Sequence, residues 1–188
     1  MAPAPELMTV DEYFAYTPLT LKPMELIRGA VRVADAPMPR HQSAVAELFR
    51  ALDAHVRSRR LGKVWLSPLD VVLNERAALI VQPDLFFVSE ARSWIVTDRV
   101  RGAPDLMIEV LSPKPRIGNT AERVRWFRDN SVRECWLVHQ DQRSVTVITF
   151  ADYREWSRQV FQRRDPIVST VLPEFTLSLD EILEEDAS

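Results

Sequence analysis

Only one cysteine, Cys135, occurs in the 188 residues, and it sits in the apolar run Cys135-Trp136-Leu137-Val138. That excludes an intramolecular disulfide framework and a zinc ribbon, and it sets the expectation of a reducing, cytoplasmic location. Glycine is scarce too, at four residues. None of them forms the Gly-rich loop of dehydrogenases or phosphate-loop proteins, and no Gly-x-Ser-x-Gly elbow or His-Glu-x-x-His pair is found. No apolar run approaches the roughly 20 residues that span a bilayer. The start, Met1-Ala2-Pro3-Ala4-Pro5, lacks the basic cap and apolar stretch of a signal peptide, so no membrane partner is expected. Lysine is the other shortage: only Lys22, Lys63 and Lys114 are present, and the remaining 21 of the 24 basic residues are arginine.

What is present suits a globular chain. Hydrophobic residues make up 46% and charged ones 27%, enough to bury a core and unlike a disordered composition. A single domain over 1–188 is expected, with its core at about 9–183 and an acidic tail at 184–188. The net charge of −3 is unevenly placed. Residues 174–188 carry six acids and no base, and without them 24 basic residues face 21 acidic ones. The basic residues cluster in Arg57-Ser58-Arg59-Arg60 and between Lys114 and Arg133. A polyanion fits such clusters, and so does an ordinary solvated face.

Periodicity and capping residues outline the elements. Thr9 with Glu12 three residues later predicts a capped helical turn. Met24 to Val33 reads as a hairpin turning at Gly29. Val45, Leu48, Leu52 and Val56 recur at helical spacing, with His41 one turn earlier on the same face, in a helix ending near Gly62. Strands are expected over Val64–Val72, Leu79–Val88, Leu106–Leu111, Glu134–Val138 and Ser144–Phe150. Asn119 with Glu122 predicts a second capped helix running to about Asn130, and Leu179–Leu183 a final helical turn. The order implies an α/β fold, a mixed sheet with helices packed against it.

Two strands carry an acid where an apolar residue belongs: Asp84 in Val81-Gln82-Pro83-Asp84-Leu85-Phe86-Phe87-Val88 and Glu109 in Leu106-Met107-Ile108-Glu109-Val110-Leu111. A buried carboxylate is costly unless it is paired, hydrogen-bonded or bound to a cation. Arginine or backbone N–H groups could satisfy each acid separately. If the two strands are neighbours, a spacing of roughly 4.8 Å lets both acids reach one hard cation such as Mg²⁺ or Mn²⁺. Asp105 shares Glu109's face but lies roughly 13 Å away along a strand. It is therefore assigned to the turn at Gly102-Ala103-Pro104 or to the edge of the site.

The segments Gln82-Pro83-Asp84-Leu85, Ala103-Pro104-Asp105-Leu106-Met107-Ile108-Glu109-Val110-Leu111-Ser112-Pro113 and Val132-Arg133-Glu134-Cys135-Trp136-Leu137-Val138 together resemble the Uma-two family. So do Glu25-Leu26-Ile27-Arg28-Gly29 and His41, and the similarity runs from about Thr9 to Leu183. That family comprises putative restriction endonucleases within the PD-(D/E)XK nuclease superfamily. The resemblance implies a restriction-endonuclease-like mixed β-sheet flanked by helices, and hydrolysis of DNA assisted by Mg²⁺ or Mn²⁺. Asp84 and Glu109 would be metal ligands, Glu25 an accessory acid near the ion, and His41 would line the site. Read from the residues alone, Glu25 is as readily a hairpin surface residue and His41 a packed residue at a helix start. A homodimer is implied by analogy with the superfamily.

The chain departs from that pattern at the lysine that usually orients or deprotonates the attacking water. Two residues after Glu109 stands Leu111. The family's alternative, Asp, Lys and Tyr spaced by four on the following helix, is replaced by Asn119, Arg123 and Phe127. Arg123 keeps the charge and can clamp a phosphate, but it is a poor base. Lys114 could reach the site from its loop. The second reading is therefore a catalytically degenerate fold that binds DNA or a protein, and a third makes the acids members of structural ion pairs.

Overall fold

The computed structural model describes residues 7–16, 22–112 and 119–183. Helix α1 (Val10–Ala15) starts from the expected capping box, in which the Thr9 hydroxyl accepts from the Glu12 N–H and Glu12 accepts from the Thr9 N–H. Strands β1 (Met24–Ile27) and β2 (Ala30–Val33) form the expected hairpin. Its two turn residues, Arg28 and Gly29, both have positive φ, 52° and 84°, which suits the twist of a two-residue hairpin turn. Helix α2 (Pro39–Arg59) begins two residues before His41, because Pro39 has a φ already fixed for a first helical turn. Its buried face is His41, Ala44, Val45, Leu48, Leu52 and Val56, as the spacing implied.

The two long strands expected next are each broken in two. Val64–Val72 becomes β3 (Gly62–Leu66) and β4 (Val71–Asn74), and Leu79–Val88 becomes β5 (Leu79–Val81) and β6 (Leu85–Ser89). The breaks fall at Pro68 and Pro83, which have no N–H to give a ladder. At both breaks the chain leaves one sheet for another, and the crossings are side by side, joined by the Ser67 N–H and the Asp84 carbonyl at 3.1 Å. A 3-10 turn (Glu90–Ile95) leads to the short β7 (Val100–Arg101), then β8 (Leu106–Leu111), helix α3 (Thr120–Asp129), β9 (Glu134–His139), β10 (Ser144–Ala151), β11 (Arg154–Gln162) and α4 (Leu179–Ile182).

The chain thus builds two mixed sheets rather than one. The smaller runs β2-β1-β5-β4-β7 and the larger β11-β10-β9-β8-β6-β3. On one face of the larger sheet, Leu85, Phe87, Leu106, Ile108, Val110, Trp136 and Val138 pack on α2. On its other face, Phe86, Val88, Met107, Cys135 and Leu137 meet α3 and the smaller sheet. Among the described residues no helix is long and apolar enough to cross a membrane.

Strand β11 was not expected from the sequence. Its turn, Asp152-Tyr153, has positive φ at both positions (50° and 58°) without the Asn-Gly or Asp-Gly signature, and both faces of the strand are exposed, so no alternation marks it.

Glu134 closes the fold. It is fully buried at the start of β9 and accepts from Trp136 Nε1 (2.7 Å), Ser169 Oγ (2.6 Å), the Thr170 N–H (2.7 Å) and Thr170 Oγ1 (2.6 Å). These bonds strap the segment after β11 across the sheet. Glu134→Ala leaves those donors without an acceptor and is expected to cost about 3 kcal/mol or more, lowering the melting temperature by about 6–12 °C. A thermal melt checks this, and a loss smaller than that of the milder Glu134→Gln would contradict it.

Candidate active site

The cavity lies where the two sheets meet, has a volume of about 280 Å³, and is lined by Glu25, His41, Ser67, Gln82, Asp84, Glu109 and Arg123 among others. Glu25 comes from β1 of the smaller sheet. Asp84 ends the crossing from β5 to β6, and Glu109 lies in β8. Strands β6 and β8 are antiparallel neighbours with Leu85 opposite Ile108, so one step outward Asp84 faces Glu109. Asp84 Oδ2 accepts from the Val110 N–H at 2.8 Å, which ties the two strand ends together, and His41 Nε2 of α2 lies 3.2 Å from the same oxygen.

Arg123 of α3 enters from the opposite side and joins two of the acids. Its Nε and Nη2 donate to Glu109 Oε1 at 2.9 and 2.6 Å, and its Nη1 donates to Glu25 Oε1 and Oε2 at 3.0 and 2.8 Å. Glu25 Oε1 also accepts from the Gln82 N–H at 2.7 Å. Both Glu25 oxygens are therefore engaged, whereas Glu109 Oε2 takes no hydrogen bond from the described residues. His41 Nδ1 is buried and likewise lacks a partner among them. Burial pushes the Glu109 carboxyl up to about 7: the guanidinium pulls it down, but the Asp84 and Glu25 charges push it up again. Burial works against the charge of Arg123, and Glu109 with Glu25 outweigh it, so the guanidinium is held firmly protonated. Among the described lining residues, Glu25 and Glu109 share the Arg123 guanidinium.

The structure brings Glu25, His41, Asp84, Glu109 and Arg123 to one cavity. Glu25 is only 3% exposed, which corrects the hairpin-surface reading; its side chain turns inward because it is the counter-ion of Arg123. His41 both opens α2 and lines the site. Lys114 lies outside the described residues. Asn119 is occupied as the cap of α3, accepting from the Glu122 N–H, while Arg123 and Phe127 share that helix's buried face. Asp105 belongs to neither the cavity nor its edge: fully buried, it accepts from the Ser89 N–H at 2.8 Å and pairs with Arg133 at 3.1 Å. Sequence reasoning missed Gln82 and the Val110 N–H, the groups that fix Glu25 and Asp84. A backbone donor leaves no trace in residue type, and Gln82 stood out only as the neighbour of Pro83-Asp84.

Among the described residues no three His, Cys, Asp or Glu side chains are grouped as a ready ligand set for an ion. Arg123 stands between Glu25 and Glu109, so Glu25 has no oxygen to spare. Asp84 and Glu109 remain as a facing pair of hard oxygen donors. That pair fits Mg²⁺ or Mn²⁺, which are held by one or two carboxylates with water and phosphate completing the shell.

The fold, two mixed sheets flanked by helices, is restriction-endonuclease-like. Its backbone follows that of a putative nuclease belonging to DUF820 from Anabaena variabilis ATCC 29413, with a TM-score of 0.76 at 21% identity, over 94% of this chain and 97% of that one. A family model, Uma2, described as "Putative restriction endonuclease", matches residues 10–180, and the chain belongs to that family. No curated protein matches the chain.

Proposed function

We propose that the protein is a divalent-metal-dependent DNA endonuclease whose ion is held by Asp84 and Glu109. The observation that carries the reading is the cross-strand juxtaposition of these two acids on one buried cavity. An ion held by these two residues would supply an acidified water and offset charge growing on the phosphate oxygens. The chain's own part is preorganisation. The Val110 N–H and His41 fix Asp84, and Arg123 holds Glu109 by Oε1 and leaves Oε2 to the cavity. Glu25 acts from behind, orienting Arg123 rather than touching the ion.

A second reading, a fold that binds DNA or a protein without cutting, is favoured by one observation: the Arg123 guanidinium already bridges two of the acids, where a lysine would leave room and could act as a base. Plasmid nicking with Mg²⁺ and with Mn²⁺ separates the two. Cutting that EDTA abolishes supports the nuclease, whereas retarded DNA that is never nicked in either metal supports the binding module.

A pH dependence follows from Glu109. Its folded pKa, about 7, exceeds its ordinary 4.5, so its contribution to stability is present at low pH and is lost as pH rises through 7. In EDTA the melting temperature is expected to fall from pH 6 to pH 8. Because proton and metal compete for the same carboxylate, the rise in melting temperature caused by Mn²⁺ is expected to be larger at pH 8 than at pH 6. Glu109→Gln should flatten both trends, and an unchanged pH trend in that variant would remove Glu109 as their source.

A further inference from the structure

A second cavity backs onto the first. Its volume is about 290 Å³, its walls include Phe14, Tyr16, Asp70 and Arg99, and it shares Pro23 and Gln82 with the cavity of the acids. Gln82 is the joint between them. Its N–H holds Glu25 Oε1, while its side chain reaches the other way and donates from Nε2 to Asp70 Oδ1 at 2.9 Å. The Asp70 side chain is only 16% exposed, yet its Oδ2 takes no hydrogen bond from the described residues. Arg99 Nη1 stands 4.0 Å from that oxygen, beyond hydrogen-bond reach, with its guanidinium laid against the Phe14 ring 3.7 Å from the centroid. Gln82 Oε1 is likewise buried without a donor among the described residues. Two hydrogen-bonded side chains therefore each keep an acceptor unsatisfied, an arrangement that is costly unless something brings donors to it. Burial pushes the Asp70 carboxyl up, against the pull of Gln82 and Arg99.

We propose that this second cavity takes one unpaired base of a DNA strand beside the bond to be cut, and that it selects guanine. The proposal rests on the reading that DNA occupies the neighbouring cavity. Gln82 is two residues from Asp84, at most about 7 Å of chain, so the base belongs to a nucleotide at or next to the one the acids meet. A base still paired within a duplex is held among its neighbours and cannot enter such a recess; the strand is single or the base is turned out. The walls supply both kinds of contact that a free base takes. The flat surfaces are the Arg99 guanidinium, backed by Phe14, and the Tyr16 ring, which is 45% exposed. Bases stack on groups of both kinds. The hydrogen-bonding groups, Asp70 Oδ2 with Gln82 Oε1 behind it, accept and cannot donate. They call for two neighbouring donors. Guanine presents N1–H beside its 2-amino group, whereas adenine and cytosine follow their amino group with a ring acceptor, and thymine sets a single N–H between two carbonyls. In those three bases an acceptor would face the carboxylate and be repelled.

Fluorescence anisotropy with short, labelled single strands of DNA, in EDTA, tests the pocket without any need for cleavage. The strands are runs of thymine around one central guanine, hypoxanthine, adenine or cytosine. The native chain should bind the guanine strand at least about tenfold more tightly than the adenine or cytosine strand. Hypoxanthine, which keeps N1–H but lacks the 2-amino group, should fall between them. Asp70→Asn keeps an oxygen for Gln82 but can turn a donor toward the base, and it should abolish the preference. Tyr16→Ala removes an exposed ring and should weaken all four strands alike, by about tenfold. The native ranking needs no variant, so it holds as a test should Asp70→Asn fail to fold. Equal binding of the four strands, binding of none, or a guanine preference that survives Asp70→Asn would each overturn the proposal. Plasmid cutting by a chain that ranks the strands equally refutes this pocket and leaves the nuclease reading standing; a guanine preference in a chain that never cuts does the reverse.

Discussion

Asp84→Asn and Glu109→Gln are each expected to lower Mn²⁺-dependent plasmid cleavage at least about 100-fold, equivalent to roughly 2.7 kcal/mol of transition-state stabilisation. The substitutions keep the shape of the side chains and remove the charges. For Asp84 the Val110 N–H bond can persist through the amide oxygen, so strand pairing survives and the loss reports on the ion. For Glu109 the amide oxygen can still accept from Arg123. If both acids hold one ion as proposed, the double variant should be no worse than either single one, as groups acting as a unit are not additive. Equal residual cutting by the native chain and both variants would end the proposal.

The second large effect is on stability. Arg123→Met fills a similar volume but leaves Glu25 and Glu109 buried without their shared cation, an arrangement expected to cost about 3–5 kcal/mol at pH 8. The loss should shrink at pH 6, where protonation can neutralise a carboxylate. With the guanidinium gone, the cavity attracts a cation more strongly. Mn²⁺ should therefore raise the melting temperature of Arg123→Met more than that of the native chain. If Mn²⁺ moves neither protein, the acids are satisfied within the chain and the metal site is lost as an idea; if Arg123→Met melts with the native chain, the bridge is energetically idle.

Local chemistry made the helices legible. Thr9 with Glu12 and Asn119 with Glu122 are capping boxes in sequence and in structure, and the apolar stripe of α2 is its buried face. The strands were legible where burial marks them, as at Leu106–Leu111. They were obscured where a proline hides inside an apolar run, because Pro68 and Pro83 convert one apparent strand into two on different sheets. β11 left no pattern, since seven of its nine residues are exposed and no apolar alternation marks it.

The acids show the same division. Asp84 and Glu109 stood out as charges within apolar strands, and the structure sets them on one cavity. Asp105 and Glu134 are buried as deeply and do not line it, because arginine, hydroxyl and N–H donors satisfy them in place. Residue type alone does not separate the two kinds, since the partners lie far along the chain: Ser169 is 35 residues from Glu134, and Arg123 is 98 from Glu25.

The strap held by Glu134 also bears on synthesis. While residues after β11 are still inside the ribosome, that carboxylate has neither Ser169 nor Thr170 to receive, and burying it within the sheet is costly. The emerging chain can form its helices and hairpins early, but the last large step waits for the strap to leave the exit tunnel. Ribosome-stalled chains ending before Pro166 should therefore be cut readily by an added protease, and those extended beyond Leu183 by a tunnel-filling linker should resist it.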